Sequence, residues 1–263
     1  MLCLFLALFL LPPPPAAGVQ ADGAQWLKRL AEAARRNRGQ SEKFIFQEDT
    51  VRYREVRSTR QTFYNRTYEV TFLEGENYYK LVAENGEPLS IDDAMQEQDR
   101  FLRAEQYRKR TPLEVRRREA AKEERNRLRF DLESLALTHT AKVAGRDVIG
   151  GHEVVVLDVA PAGKPRKPRN RNLWTRILAG RLWLDTSTGH PVKAEMRQLI
   201  DWDMQPKGNL TSFNWLWMEG AWLISLIRNV EPLDGGGAMV IEQRYSSYSR
   251  FQADIKLTYQ DIP

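Results

Sequence analysis

The spacing of apolar and polar positions changes several times along the chain, and each change marks an element. Residues 24–38, AQWLKRLAEAARRNR, put Trp26, Leu27, Leu30 and Ala34 on one stripe, with Lys28, Arg29, Arg35 and Arg36 around it. That spacing predicts an amphipathic helix, with Gly39 as its stop. Beyond it the period falls to two. Residues 43–57, 61–73 and 77–83 are rich in aromatic and β-branched side chains, which predicts three strands. Glu74-Gly75-Glu76 and Asn85-Gly86 supply the turns between and after them. Along 68–72, Tyr68, Val70 and Phe72 alternate with Glu69 and Thr71, so one face is apolar and the other wet.

A charged, helix-prone insert follows over residues 91–134. Ser90 followed by Asp93 signals one helix start, and Thr111-Pro112-Leu113-Glu114 signals a second, breaking the insert near Pro112. Its apolar stripe is thin: Ile91, Met95, Leu102, then Leu128, Leu132 and Leu135. The mixed charges of Arg116, Arg117, Arg118, Glu119, Glu123 and Glu124 read as a solvated helix surface. Strands return after residue 137: HEVVVLDVA (152–160), RLWLD (181–185), PVKAEMRQL (191–199), SFNWLWM (212–218), AWLISLIRNV (221–230), AMVIEQRYSSYS (238–249) and a last one near 251–259. A short helical turn is expected over 173–178, ending at Gly180, after the basic loop PAGKPRKPRNRN (161–172). The pattern is α+β and antiparallel: a helix, strands, a helical insert, strands.

The first residues have a different composition. Leu2–Leu11 is unbroken apolar sequence, too short to cross a bilayer but suited to an export signal, with cleavage expected after Gly18 or Ala21. No Lys or Arg precedes that run, and an uncleaved anchor is the competing reading. The domain organisation expected is a signal over 1–21 and one domain over 22–263. The only cysteine, Cys3, lies in the signal, so the mature chain has no disulfide, thiolate metal site or cysteine nucleophile. Forty Lys and Arg stand against 35 Asp and Glu in 263 residues, a mildly basic mixed surface that points to solubility rather than nucleic acid.

Chemistry is sparse. His139, His152 and His190 are far apart and form no metal-ligand pair, and His152 and His190 read as residues at strand ends. Neither a nucleophile elbow nor a phosphate-cradling loop is present, and Gly235-Gly236-Gly237 reads as a hairpin loop. No enzyme activity, metal or cofactor is expected. Aromatics are plentiful, with seven tryptophans in the chain, and Trp215 and Trp217 share one face of a strand. Such rings fill a core or line an apolar cavity.

The stretches RTYEVTFLEGENYYKLVAENGEPLS, GRLWLDTSTGHPVKAE, AWLI and YSSYSRF, taken with the charged insert, resemble the outer-membrane lipoprotein-sorting-protein-like family of the LolA/LolB-like superfamily. The resemblance spans roughly residues 24–260. It implies a curved antiparallel half-barrel sheet, with helices covering the concave face and a cavity for the acyl chains of a lipid or lipoprotein. It implies a periplasmic, non-enzymatic carrier or binder, monomeric, with the 91–134 insert crossing the open face as an enlarged lid. The lining residues expected on that basis are Phe44, Phe46, Tyr68, Val70, Phe72, Trp183, Trp215 and Trp217. The basic loop and insert would meet anionic headgroups at a membrane surface. The alternative is an envelope interaction protein with a filled core, docking through the charged insert.

Overall fold

The computed structural model describes residues 23–124, 130–203 and 205–251. The expected signal, residues 1–21, and all but the first residue of the expected strand at 251–259 lie outside them. The predicted helix is α1, Gly23–Ser41. It runs through Gly39, because a single glycine costs a helix only about 1 kcal/mol. Four strands follow: β1 (Phe44–Val56), β2 (Thr59–Leu73), β3 (Glu76–Glu84) and the short β4 (Glu87–Pro88). Asn85 and Gly86 both have positive φ (55° and 85°), the geometry a tight two-residue hairpin requires.

The insert holds three helices rather than two: α2 (Ile91–Arg110), α3 (Leu113–Glu124) and α4 (Leu132–Thr138). Ser90 caps α2 as expected, its Oγ accepting from Asp93 N at 3.1 Å. Thr111 closes α2, its N–H donating to Tyr107 O, and α3 begins after Pro112. Asp131 caps α4 by accepting from Glu133 N and Ser134 N. The second half supplies β5 (His139–Ile149), β6 (His152–Pro161), a 3-10 turn (Arg171–Ile177), β7 (Leu178–Asp185), β8 (Pro191–Gln198), β9 (Leu210–Met218), β10 (Ala221–Pro232) and β11 (Ala238–Arg250). Gly180 lies inside β7 instead of ending a helix. A Cβ there would stand 1.9 Å from Glu195 O of the neighbouring strand.

Among the described residues the strands form one open antiparallel sheet of 11, in the order β4-β3-β2-β1-β11-β10-β9-β8-β7-β6-β5. The concave face of the β5–β10 half carries α1, α4 and the 3-10 turn. Trp26, Leu27 and Leu30 of α1 and Leu135 of α4 join Val155, Leu157, Leu178, Leu182, Leu184 and Met196 in the main core. Polar groups fix the helix on this bed. Asn37 bonds the Trp222 backbone in both directions, Nδ2 to O at 2.8 Å and N to Oδ1 at 2.7 Å. Arg29 donates to Thr186 O at 2.7 Å.

The helices of 91–124 do not cross the open face. They lie against β3 and the β2–β3 turn. Arg108 donates to the carbonyls of Leu73, Glu76 and Asn77, Arg100 to that of Tyr79, and Arg116 to that of Glu74. Tyr78, whose side chain leaves the sheet opposite to that of Tyr79, packs edge-on against Phe101 of α2 and bonds the buried Glu97. Arg116 is itself buried and pairs with Glu76 at 3.1 Å. Arginines at 100, 108 and 116, rather than an apolar stripe, direct the insert to the sheet's edge.

Leu30 is fully buried while Met95 is 64% exposed. Leu30→Ala is expected to cost about 2–5 kcal/mol of unfolding free energy, measured in urea. Met95→Ala should change it by less than about 0.5 kcal/mol. Equal effects would contradict this division of the helices.

Candidate functional site

A cavity of about 670 Å³ opens on the concave face beyond the end of α1. That lies within the roughly 300–1,000 Å³ usual for small-molecule sites. One wall is the end of α1, Ala34 to Ser41, and another is the tail of the insert, Phe130–Glu133. The floor is the sheet, from Tyr79 and Phe46 across Tyr245 and Tyr248 to Ile227, Phe213 and Trp215. Arg38 stands at the rim, ion-paired to Glu133, with Arg35 3.5 Å from the same carboxylate. No lining residue comes from 91–124.

The floor is aromatic because the register puts rings of neighbouring strands side by side. Phe46 pairs with Val70, which pairs with Tyr79. Phe46 meets Tyr245 at 5.7 Å and Tyr248 at 5.3 Å between ring centroids. Tyr245 and Tyr248 are three apart in sequence, a spacing that puts two strand residues on opposite faces. Ser247, at φ 53°, sits where the β1–β11 register shifts, and this bulge turns Tyr248 to the same side. Phe130 stacks on Phe213 at 4.3 Å, and Phe213 on Trp215 at 5.8 Å.

Of the residues expected to line the cavity, Phe46 and Trp215 do so. Val70 is buried next to Phe46 on the same face, Tyr68 packs against Tyr79, and Phe72 packs against Phe251. Phe44 is buried in a separate small cluster with Ala221 and Leu223. Trp183 is a correction. It is absent from the cavity lining and sits, 9% exposed, in the main core cluster, with Lys193 Nζ 4.7 Å from its ring. Trp217 shares a face with Trp215 but sits at the strand end, 47% exposed, beside Trp222 at 5.4 Å. Sequence reasoning missed Tyr79, Phe130, Phe213, Trp222, Tyr245 and Tyr248. Phe213 was available from alternation, two places before Trp215, but the Ser247 bulge was not.

Two polar features belong to the site. His190 lines the cavity wall, stacked flat on Trp222 at 5.7 Å, with Nδ1–H donating to Pro191 O at 3.0 Å. Burial lowers its pKa to about 4. Next to the floor rings, Glu48 is buried between Tyr245 and Tyr68 in the register. Burial, and then the nearby Glu48 charge, push the phenols of Tyr245 and Tyr248 well above their ordinary range. His152 Nδ1 lies 3.1 Å from Asp185 Oδ2, and Asp185 also holds the Ser187–Thr188 turn. Among the described residues no group of three or more His, Cys, Asp and Glu is placed to hold a metal.

No protein-family model matches the chain, and no curated protein matches it significantly. Solved structures do match. A LolA superfamily protein from Nitrosomonas europaea aligns over 92% of this chain and 99% of its own, at 11% identity and TM-score 0.36. An outer membrane lipoprotein-sorting protein domain, so described, from Vibrio parahaemolyticus aligns over 88% and 95%, at 12% identity and TM-score 0.38. The Pseudomonas aeruginosa MucA/MucB complex aligns over 89% and 100%, at 16% identity and TM-score 0.26. The family that the sequence resembles is thus among the matches, while the fold itself stands on the strand order and register above.

The native His190 is held neutral, so it binds fewer protons than the unfolded chain between its native pKa near 4 and the unfolded value near 6.5. Its stabilisation is therefore complete above about pH 6.5 and lost as pH falls towards 4, up to about 3 kcal/mol. Burial lowers the pKa of His139 too, which acts in the same direction. Urea midpoints measured from pH 7 to 4 should fall less steeply for His190→Asn than for the parent. An unchanged slope would remove His190 from this account.

Proposed function

We propose that this chain binds the acyl chains of a lipid or lipoprotein, non-covalently, in the concave cavity. The observation that carries the reading is the cavity itself: about 670 Å³, floored by rings and aliphatic side chains rather than closed by them. Each acyl methylene moved from water onto Phe46, Phe213, Trp215, Ile224 and Ile227 would gain about 0.8 kcal/mol. The role is binding rather than catalysis. The setting we propose is the periplasm, reached by a signal over residues 1–21, with 22–263 as the binding domain; no helix among the described residues is long and apolar enough to cross a membrane. Of the lining expected from sequence, Phe46 and Trp215 remain in the proposed contact set and Trp183 leaves it. With α2 and α3 at the sheet's edge, ligand entry would be governed by α1 and the Phe130–Glu133 segment instead of a charged lid.

The alternative, an envelope protein docking through the insert, has one observation in its favour. Ile91 and Met95 lie one helical turn apart on α2, 81% and 64% exposed. It also asks for a filled core, against which the cavity weighs.

Native mass spectrometry of protein made with its first residues and purified from the periplasm should show a discrete mass excess matching an acylated molecule. Ile227→Trp should lower that occupancy by about tenfold or more by filling the floor, while Trp183→Phe should leave it unchanged. A clean protein mass that persists after incubation with lipid vesicles and acylated peptide would sink the binding reading.

A further inference from the structure

Next to the aromatic lining of the cavity stands an acid, Glu48, with no cation paired to it among the described residues. Glu48 is 7% exposed, and its Oε1 accepts from Thr50 Oγ1 at 2.7 Å and from Gln243 Nε2 at 3.0 Å. Both hydrogen bonds go to that one oxygen. Among the described residues no Lys, Arg or His stands within ion-pair distance of the carboxylate. The cations nearest along the strands are engaged elsewhere or turned to solvent. Arg66 pairs with Glu84 at 2.8 Å, Arg244 pairs with Glu242 at 2.6 Å, and Arg52 is exposed. Arg38, on the opposite rim, is held by Glu133.

Rings surround the same carboxylate. Glu48 is directly opposite Tyr68 on one neighbouring strand and Tyr245 on the other. Phe46 is two places along its own strand and touches Tyr245 and Tyr248, while Tyr79 packs on Tyr68. Phe46, Tyr79, Gln243, Tyr245 and Tyr248 are all part of the cavity lining, so a ligand in the cavity meets these groups first, with the charge directly behind them. An unpaired buried charge is costly, and the phenols are already destabilised as anions beside it. Aromatic faces ringing a negative charge are the arrangement that attracts an ammonium group: cation–π contact at the rings and Coulomb attraction behind them.

We propose that the Glu48 end of the cavity recognises an ammonium group carried by the acylated ligand. This rests on the acyl-binding reading and adds to it the charge and place of the headgroup. The class is an amphiphile whose headgroup carries a primary or quaternary ammonium. An aminophospholipid and an acylated peptide with a free amino terminus both satisfy it. An anionic headgroup would be repelled from this end of the cavity.

The test uses probes of one chain length, dodecylammonium, dodecanol and dodecanoate, titrated into the full chain and followed by tryptophan fluorescence. The parent should bind dodecylammonium about tenfold tighter than dodecanol, with dodecanoate weakest. Glu48→Gln keeps an oxygen to accept from Thr50 and Gln243, and should erase the preference for dodecylammonium over dodecanol. Phe46→Leu, which removes a ring and leaves the acid, should weaken dodecylammonium more than dodecanol. It keeps the question decidable if Glu48→Gln does not fold. Equal binding of the three probes, tighter dodecanoate, or a preference that survives Glu48→Gln would overturn the ammonium site and leave acyl binding standing. No binding of any probe would overturn the acyl reading, and this inference with it. Given the expected preference, lysophosphatidylethanolamine and an S-palmitoyl peptide with a free amine then separate the two sources; at least one must show the same dependence on Glu48, or the site is overturned.

Discussion

Packing between α1 and the β5–β10 half of the sheet determines where space can remain on the concave face. Leu27, Leu30 and Trp26 sit in a bed of Val155, Leu157, Leu182 and Met196, and Leu135 closes the bed from the side. This contact forms the main core, and the non-directional gain from that burial holds one long helix over the β5–β10 side of the sheet. The Asn37–Trp222 pair of hydrogen bonds then fixes where the helix ends. Beyond that point the sheet continues through β11, β1, β2 and β3 with no helix above it, and there the cavity begins. The position of α1 therefore sets the cavity's depth, one of its walls, and the choice of floor strands.

The two halves of the concave face differ chemically in consequence. Beneath the helix the lining is aliphatic, and fully buried leucines and valines dominate. On the uncovered half the side chains are rings with polar edges and one carboxylate: Phe46, Tyr68, Tyr79, Tyr245, Tyr248 and Glu48. Tyrosine suits a surface that is neither dry nor wet, since its body packs and its hydroxyl finds a partner. Tyr248 does so at Ile224 O, 2.5 Å away.

Much of the fold was legible where local physics decides it. The stripe in 24–38, the alternation in 68–72, the Asn85-Gly86 hairpin and the Ser90 cap depend on residues within a few positions of one another, and each stands in the structure. What failed to be legible depends on distance or on a bulge. Trp183 sits in Leu-Trp-Leu, where apolar residues occupy both faces and alternation carries no sign; only the partners across the strand give its side. Leu132 and Leu135 look like the end of a charged run, and become a separate helix because Leu135 finds the core. Within the site, Trp215 was legible as an inward ring, but Glu48 was not legible as its neighbour in function. Gln243 and Tyr245, which define its surroundings, arrive from the far end of the chain through the β1–β11 pairing.

The arginine contacts of the insert bear on how the sheet meets other chains. An outer strand of an open sheet presents a row of unpaired backbone groups, a ready template for any extended segment that drifts past. β4 pairs only with Ala83 and Glu84, leaving the first part of β3 without a strand beyond it. Arg100 and Arg108 occupy the carbonyls of Tyr79, Glu76 and Asn77 along that stretch. A peptide, or a second copy of the sheet, could add there only by stripping off charged donors and lifting two helices away. The long charged segment thus insulates the sheet against growth at that border, a protection against aggregation carried by guanidinium groups.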